Sequence, residues 1–265
     1  MRWDFDAKTV VVTGAGSGIG AATARAFLEA EAVVHRLDID ADALAESRRA
    51  LPSDAQTRCR DVVVDIADTA AMRAVLSGVE GGIHHLVNCA ASFVAAGPDA
   101  TEQDWSRSLS VNVTASAMLT AAVATRMPPG ATVVNISSIS AHVAQPNRWT
   151  YNATKAAILA LTRGQAMDLA PRGIRVNSVS PGWIWTAEVE KAAGGDRERW
   201  EPIWGKYHLL ERLGEPSEVA EAVLFLSSAA ASFITGTELF VDGGYRAMGP
   251  EGLGETAHFA GSDGR

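Results

Sequence analysis

Seven short runs rich in β-branched and other apolar residues recur along the chain, at about 8–12, 32–37, 57–64, 83–88, 131–136, 174–179 and 237–241. Most lack the alternation of a half-exposed strand, so they suit strands covered on both faces. Helix-length segments separate them, at 18–30, 41–50, 68–78, 102–127, 150–170 and 216–228. Strand following helix in regular order demands right-handed crossovers between parallel neighbours. The pattern predicts an α/β fold: a doubly wound parallel sheet of about seven strands with helices on both faces. Two stretches break the rhythm. Residues 187–213 are long enough to form a substrate lid over the carboxyl edge of the sheet, and 245–265 read as a glycine-rich tail.

Composition narrows this picture. With 265 residues, 47% of them apolar, and no linker-like segment, the chain predicts one domain over 1–265. A formal charge of −8 with scattered cations excludes a nucleic-acid partner. No stretch approaches eighteen uncharged apolar residues, so no membrane span is expected. The opening Met1 to Asp6 lacks the apolar core of a signal peptide, which points to the cytoplasm. Cys59 and Cys89 sit at predicted buried strands and are expected as free thiols, and six histidines without ligand spacing predict no metal.

The candidate chemistry lies in three places. Val10 to Gly20 runs from an apolar strand into a helix through Gly14, Gly16, Gly18 and Gly20. Rossmann-type folds place a dinucleotide pyrophosphate on the backbone N–H groups of such a turn. The strict Gly-x-Gly-x-x-Gly spacing fails, because starting at Gly14 puts Ile19 third and starting at Gly16 puts Ala21 there. Asp38 ends the second strand, where a carboxylate can accept both hydrogen bonds of a ribose diol and repel a 2′-phosphate. It could instead cap the helix from Ala41. Neither Ala15 nor Ser17 supplies a cation for a 2′-phosphate, which favours NAD, while Arg36 on Asp38's side of the strand counts the other way. Tyr151 and Lys155 stand one turn apart on one helix face. A cation there can lower the phenol's pKa, making an acid/base device suited to hydride transfer.

Thr13-Gly14 with Gly18-Ile19-Gly20, Tyr151 and Lys155 preceded by Ser138, and Pro181-Gly182 followed by Thr186 resemble the classical short-chain dehydrogenase/reductase family over residues 5 to about 245. The resemblance implies NAD as cofactor, held by Gly14, Ser17, Gly18, Ile19 and Gly20, with Asp65 and Ile66 at the adenine. It also implies Asn88 and Ala90 beside the cofactor, although Cys89 and Ala91 depart from the family's Asn-Asn-Ala-Gly. Ala91 takes a positive φ less easily than glycine, so this loop is expected to differ. Pro181, Gly182, Ile184 and Thr186 would meet the nicotinamide carboxamide. By the same resemblance the catalytic group is Asn112, Ser138, Tyr151 and Lys155, with Tyr151 and Lys155 also touching the cofactor. Ser138 would bond the substrate oxygen, Lys155 the nicotinamide ribose, and Asn112 would bend its helix and position a water leading to Lys155. A homotetramer built on the helices at 102–127 and 150–170 is implied as well.

On the substrate side, Trp149, Trp183, Trp185, Trp200 and Trp204 crowd between residues 149 and 204. Trp149, Trp183, Trp200 and Trp204, with Ser138, Ser140 and His142, are the expected substrate contacts. Flat apolar walls edged by polar groups suit a small sugar, polyol or cyclic diol. Packing of a lid helix explains Trp200 and Trp204 equally well. The expected function is NAD-dependent hydride transfer between nicotinamide and a secondary alcohol or ketone. The alternatives are a 3-oxoacyl thioester (acyl carrier protein) reductase and a non-catalytic cofactor-binding protein.

Overall fold

Seven parallel strands form one sheet in the computed structural model, which describes residues 3–94, 96–249 and 252. They are β1 (Thr9–Thr13), β2 (Val33–Asp38), β3 (Cys59–Val63), β4 (His85–Asn88), β5 (Thr132–Ile136), β6 (Arg175–Pro181) and β7 (Glu238–Val241). Their order is β3-β2-β1-β4-β5-β6-β7. Consecutive β1 residues face opposite ways, as the two-residue period of a strand requires. Val10 and Val12 pack with Phe27, Leu28, Val219 and Val223 from α1 (Gly18–Glu29) and the last long helix, Pro216–Ser227. Val11 packs on the other side with Met72, Leu76, Leu119 and Val123. Both faces are thus covered, as the near-continuous apolar runs predict.

The remaining helices are α2 (Ala41–Arg49), α3 (Ser53–Arg58), α4 (Thr69–Ser77), α5 (Glu102–Leu109), α6 (Ala115–Ala124), α7 (Trp149–Leu169), α8 (Ala187–Ala192) and α9 (Arg197–Gly205), with α10 the Pro216–Ser227 helix. Three differ from expectation. The strand read from 57 begins at Cys59, because Ser53 to Arg58 coil after Pro52 into α3. The single helix expected over 102–127 is interrupted by a π-helical turn at Ser110–Thr114, which joins α5 to α6. The segment 187–213 folds as α8 and α9. Of the tail, Tyr245–Ala247 form a short 3₁₀ turn, and most of 245–265 lies outside the described residues. Among the described residues no helix is long and apolar enough to cross a membrane.

The chain winds outward from β1 through β2 to β3, then returns to β4 and winds the other way. Between β1 and β4 the order reverses, and neighbouring loops part there to leave a crevice at the carboxyl edge.

Beneath that edge lies a buried charge. Arg36 on β2 is 1% exposed; its Nε donates to Asp61 Oδ1 at 2.7 Å, and Nη2 donates to the Leu44 carbonyl at 2.8 Å. Arg48 reaches Asp61 Oδ2 at 3.2 Å. Burial pushes the Asp61 carboxyl up, but the two guanidinium groups outweigh it and hold the pKa below the usual range. These bonds tie α2 to β2 and β3 and remove Arg36 from the crevice. Removing one partner of such a pair strands the other, at a cost of ~3–5 kcal/mol. Asp61→Asn is therefore expected to lower the urea-unfolding free energy by about that amount near neutral pH; a loss under ~1 kcal/mol would mean Arg36 finds other partners.

Candidate active site

A cavity of about 420 Å³ occupies the crevice, walled by the loops that follow β1 to β6. The first wall is the glycine turn. Gly14 has φ +66°, and a Cβ there would sit 2.7 Å from the Ala90 Cα. Gly18 has φ +51°, and a Cβ there would sit 3.3 Å from the Thr186 methyl. Thr13 fastens this wall to the next: its hydroxyl accepts from the Cys89 and Ala90 N–H groups at 3.0 and 3.1 Å. Nothing in the sequence singles out Thr13 beyond its place in the motif.

Asp38 stands at the end of β2 with Oδ2 accepting the Gly16 N–H at 2.8 Å and Oδ1 accepting the Asp40 N–H at 3.0 Å. The helix-cap alternative fails, since Asp40 caps α2 by accepting from Asp42 and Ala43. A carboxylate has about four acceptor sites, so Asp38 retains two for hydroxyl donors. Asp65 accepts from Arg107 Nη1 at 2.9 Å and lines the same end of the cavity with Ile66.

At the other end, α7 presents Tyr151 and Lys155. Both are buried, at 7% and 3% exposure, on one face of the helix. The Lys155 ammonium lies 5.5 Å from the Tyr151 ring centre and donates to the Ile136 carbonyl at 2.8 Å. Ser138, extended at the end of β5, accepts from the Ser140 N–H at 3.1 Å and faces the phenol. Burial pushes the Tyr151 phenol up to about 12, against the lowering effects of the Ser138 hydroxyl and the Arg148 charge. It pushes Lys155 down to about 8. The expected depression of the phenol's pKa by Lys155 is not found: removing both groups from water favours their neutral forms. Phe93 stacks on Tyr151 with ring centres 5.3 Å apart.

The cavity brings together Gly14, Ser17, Gly18, Ile19, Gly20, Asp38, Asp65, Ile66, Ala90, Ser138, Ser140, Tyr151, Lys155, Pro181, Gly182, Trp183, Ile184 and Thr186. Other expected residues stand apart from its lining. Asn88 Nδ2 turns inward to Asn135 Oδ1 at 2.8 Å and Thr120 Oγ1 at 3.2 Å. Asn112 sits in the π turn, where its amide is taken up by protein: Nδ2 donates to the Ser92 carbonyl and Thr154 Oγ1, and Oδ1 accepts the Ser92 N–H. It clasps the loop after β4 to α7. His142 pairs with Glu238 at 2.9 Å on the β7 side. Trp149 is 57% exposed. Trp200 stacks on Trp204 at 5.0 Å and Trp204 on Trp183 at 5.3 Å, so Trp183 alone of the three reaches the cavity. Phe93, Gln145, Arg148 and Glu188 join the lining instead. Gln145 and His142 share one short loop, and its fold decides which faces inward. Ala91 keeps a negative φ, so its replacement of glycine brings no left-handed strain. Both cysteines are free, and among the described residues no three His, Cys, Asp or Glu side chains could share a metal ion.

Comparison with known proteins adds four findings to this geometry. A family model described as enoyl-(acyl carrier protein) reductase matches residues 14–246. Galactitol 2-dehydrogenase (L-tagatose-forming) of Cereibacter sphaeroides is 37% identical over 252 residues, covering 91% of this chain and 96% of the relative. The 2-keto-3-deoxy-L-fuconate dehydrogenase of Xanthomonas campestris is 36% identical over 249 residues, covering 90% of this chain and 80% of the relative. A crystal structure of a short-chain dehydrogenase/reductase from Brucella melitensis, described as a glucose/ribitol dehydrogenase, superposes with a TM-score of 0.84 at 31% identity. It covers 92% of this chain and 99% of its own.

The buried ammonium predicts a measurable trade between stability and chemistry. Lys155 falls from its usual 10.5 to about 8 in the folded state. The folded chain therefore binds fewer protons than the unfolded one between those values, and stability from this group rises with pH across that window. Below pH 8 the cost is fully present, at roughly 3 kcal/mol. Lys155→Met removes it and forfeits ~1 kcal/mol of hydrogen bonding to Ile136. The variant is expected to melt above the wild type at pH 7, with the gap closing toward pH 10. An equal gap at both pH values would overturn this account.

Proposed function

Because the chain belongs to the classical short-chain dehydrogenase/reductase family, we propose that it is an NAD-linked dehydrogenase of a small secondary alcohol in the sugar, polyol or cyclic diol class. One observation carries the reading: Ser138, Tyr151 and Lys155 converge at one end of a cavity whose other end is a glycine turn and an acceptor carboxylate. The residues fit a nicotinamide dinucleotide. A Cβ on Gly14 would fill the turn, whose amides suit a pyrophosphate, and Asp38 keeps acceptor capacity for the adenosine ribose. Asp65 and Ile66 would flank the adenine, Lys155 the nicotinamide ribose, and Pro181, Gly182, Ile184 and Thr186 the carboxamide.

When bound, the nicotinamide supplies the hydride acceptor or donor. The chain's own part is proton handling and orientation. Tyr151 Oη moves the hydroxyl proton, taking it in oxidation and giving it in reduction. Ser138 Oγ donates to the substrate oxygen where charge develops. Lys155, bonded to the Ile136 carbonyl beside the phenol, would hold the nicotinamide ribose. With the phenol pushed up to about 12, the resting group is set to donate, and oxidation gains as the medium becomes alkaline. Asn112 acts through Ser92 and Thr154, holding the loop that carries Phe93 against α7. The flat Trp183 wall, together with the substrates named for the galactitol, fuconate and glucose/ribitol relatives, supports a polyhydroxylated substrate. A reductase of thioesters on an acidic carrier protein would want a basic rim, which a chain of net charge −8 does not favour. Exposed Leu109, Met118 and Met167 on α5, α6 and α7 support pairing of these helices in a homotetramer.

Two results test the reading. Tyr151→Phe keeps the ring and removes only the proton-carrying oxygen, so kcat should fall ~10²–10⁴-fold with NAD affinity retained; a variant keeping a tenth of wild-type activity would sink the assignment. For the cofactor, kcat/KM should favour NAD over NADP by at least about tenfold, and Asp38→Ala should narrow the gap mainly by weakening NAD. Equal use of both by the wild type would remove Asp38 from the ribose.

A further inference from the structure

Of the two arginines on the cavity wall, Arg107 is neutralised by Asp65 at 2.9 Å. Arg148 is not: among the described residues it joins no ion pair, and its side chain donates no hydrogen bond. It lines the same cavity as Ser140, Gln145, Phe93 and Trp183, and its charge acts directly on Tyr151, which places it at the substrate end. The backbone is built to put it there. Asn147 takes φ +55°, a conformation that asparagine tolerates better than most residues. Gly97 packs so closely that a Cβ would lie 2.9 Å from Asn147 Oδ1. The Trp149 N–H then donates to the Ala96 carbonyl at 3.0 Å, and the Thr150 hydroxyl to that of Val94. A half-buried guanidinium near the reacting phenol, carried on a backbone held in place and with no acidic partner among the described residues, suits an anion.

We propose that Arg148 binds a carboxylate carried by the substrate, so that the cognate substrate is a hydroxy acid: a secondary alcohol with a carboxylate some bonds from the carbinol carbon. This deepens the dehydrogenase reading, narrowing its secondary alcohol from a neutral polyol or diol to one that carries an acid group, and rests on it. A single guanidinium matches one negative charge and the planar fork of a carboxylate, where a phosphate dianion would ask for a second cation. Lys155 does not serve as that cation, since one of its donors goes to the Ile136 carbonyl and the proposed function turns the others to the nicotinamide ribose. Glu188 also lines the cavity but is exposed on α8, where water screens its repulsion, and it forms no ion pair with Arg148. The carboxylate end would dock on Arg148 while Trp183 covers the ring or chain between it and the carbinol.

The test compares cis-4-hydroxycyclohexanecarboxylate with its neutral carboxamide, and galactonate with galactitol, as substrates with NAD. In the wild type kcat/KM should favour each acid at least about tenfold. Arg148→Gln should erase most of that ratio and Arg148→Lys keep part of it; taking the ratio at one pH cancels any effect of the lost charge on Tyr151. Cyclohexanecarboxylate, which lacks the hydroxyl, serves as a binding probe with NAD present, read by tryptophan fluorescence. It should bind the wild type and bind Arg148→Gln at least tenfold more weakly. Alcohols oxidised with no preference for the acids would overturn the carboxylate proposal and leave the dehydrogenase intact. Failure of every alcohol would instead strike the dehydrogenase reading, and the binding arm would still decide: equal binding to both proteins, or none to either, removes Arg148 as an anion receptor. A sulfonate or phosphate ester preferred over the carboxylate would likewise overturn it.

Discussion

The approach of backbone to backbone where β1 runs into α1 is the constraint on which the cleft depends. A Cβ on Gly20 would lie 2.0 Å from the Gly14 carbonyl oxygen, and one on Gly14 would lie 2.7 Å from the Ala90 Cα. The first turn of α1, the loop after β1 and the loop after β4 therefore meet at distances that leave no room for side chains. Thr13 converts that proximity into a bonded joint through its two accepted hydrogen bonds, and Asp38 holds the next turn by its bond to Gly16. The Thr13 joint sits where the strand order reverses, between β1 and β4, and the Asp38 joint binds β2 to the loop after β1, so the strand ends around the crevice are clamped to each other at its base. The positions of Asp38 and of the loop bearing Phe93 are consequences of this packing.

The opposite end of the cleft is set by burial. Two groups that would prefer water, a phenol and an ammonium, are held within one helical turn of each other under the loop after β4. Such an arrangement costs stability and persists only because its surroundings are over-determined. Asn112 accounts for much of that determination. Its amide satisfies both backbone polar groups of Ser92 and also reaches Thr154, which lies beside Lys155 on α7. The π turn at Ser110–Thr114 supplies the extra residue that lets the helix bulge there.

The sheet was legible because its strands are buried on both faces and so read as unbroken apolar runs, a signal that tertiary context reinforces. The glycine turn and the Tyr151 and Lys155 pair were legible because their chemistry is local, within a few residues on one element. What escaped depends on contacts distant in sequence. Asn88 follows an apolar strand at the expected position, but Asn135 on the neighbouring strand draws its amide inward. His142 and Arg148 are six residues apart around one loop, and only Glu238, nearly a hundred residues away, decides that the histidine turns out. Six residues of α3 carry too little periodicity to separate from the strand that follows them.

The tryptophan cluster illustrates how a helix can shape the cavity without lining it. Trp200 and Trp204 lie on α9 at a spacing of four, so they share a face and stack, and that stack rests on Trp183 in the loop after β6. From the other side His208 accepts the Trp183 N–H at 3.4 Å through Nε2, and burial keeps its ring below the usual histidine pKa, in the neutral form that can accept. Arg197 joins Glu201 to Glu215 and so anchors the start of α9 to the cap of α10. The indole that walls the cavity is thereby fixed by residues that never reach it. Changes in α9 would be transmitted as a tilt of Trp183, altering the cavity at that wall, while the glycine turn and Asp38, held by their own bonds, keep their geometry.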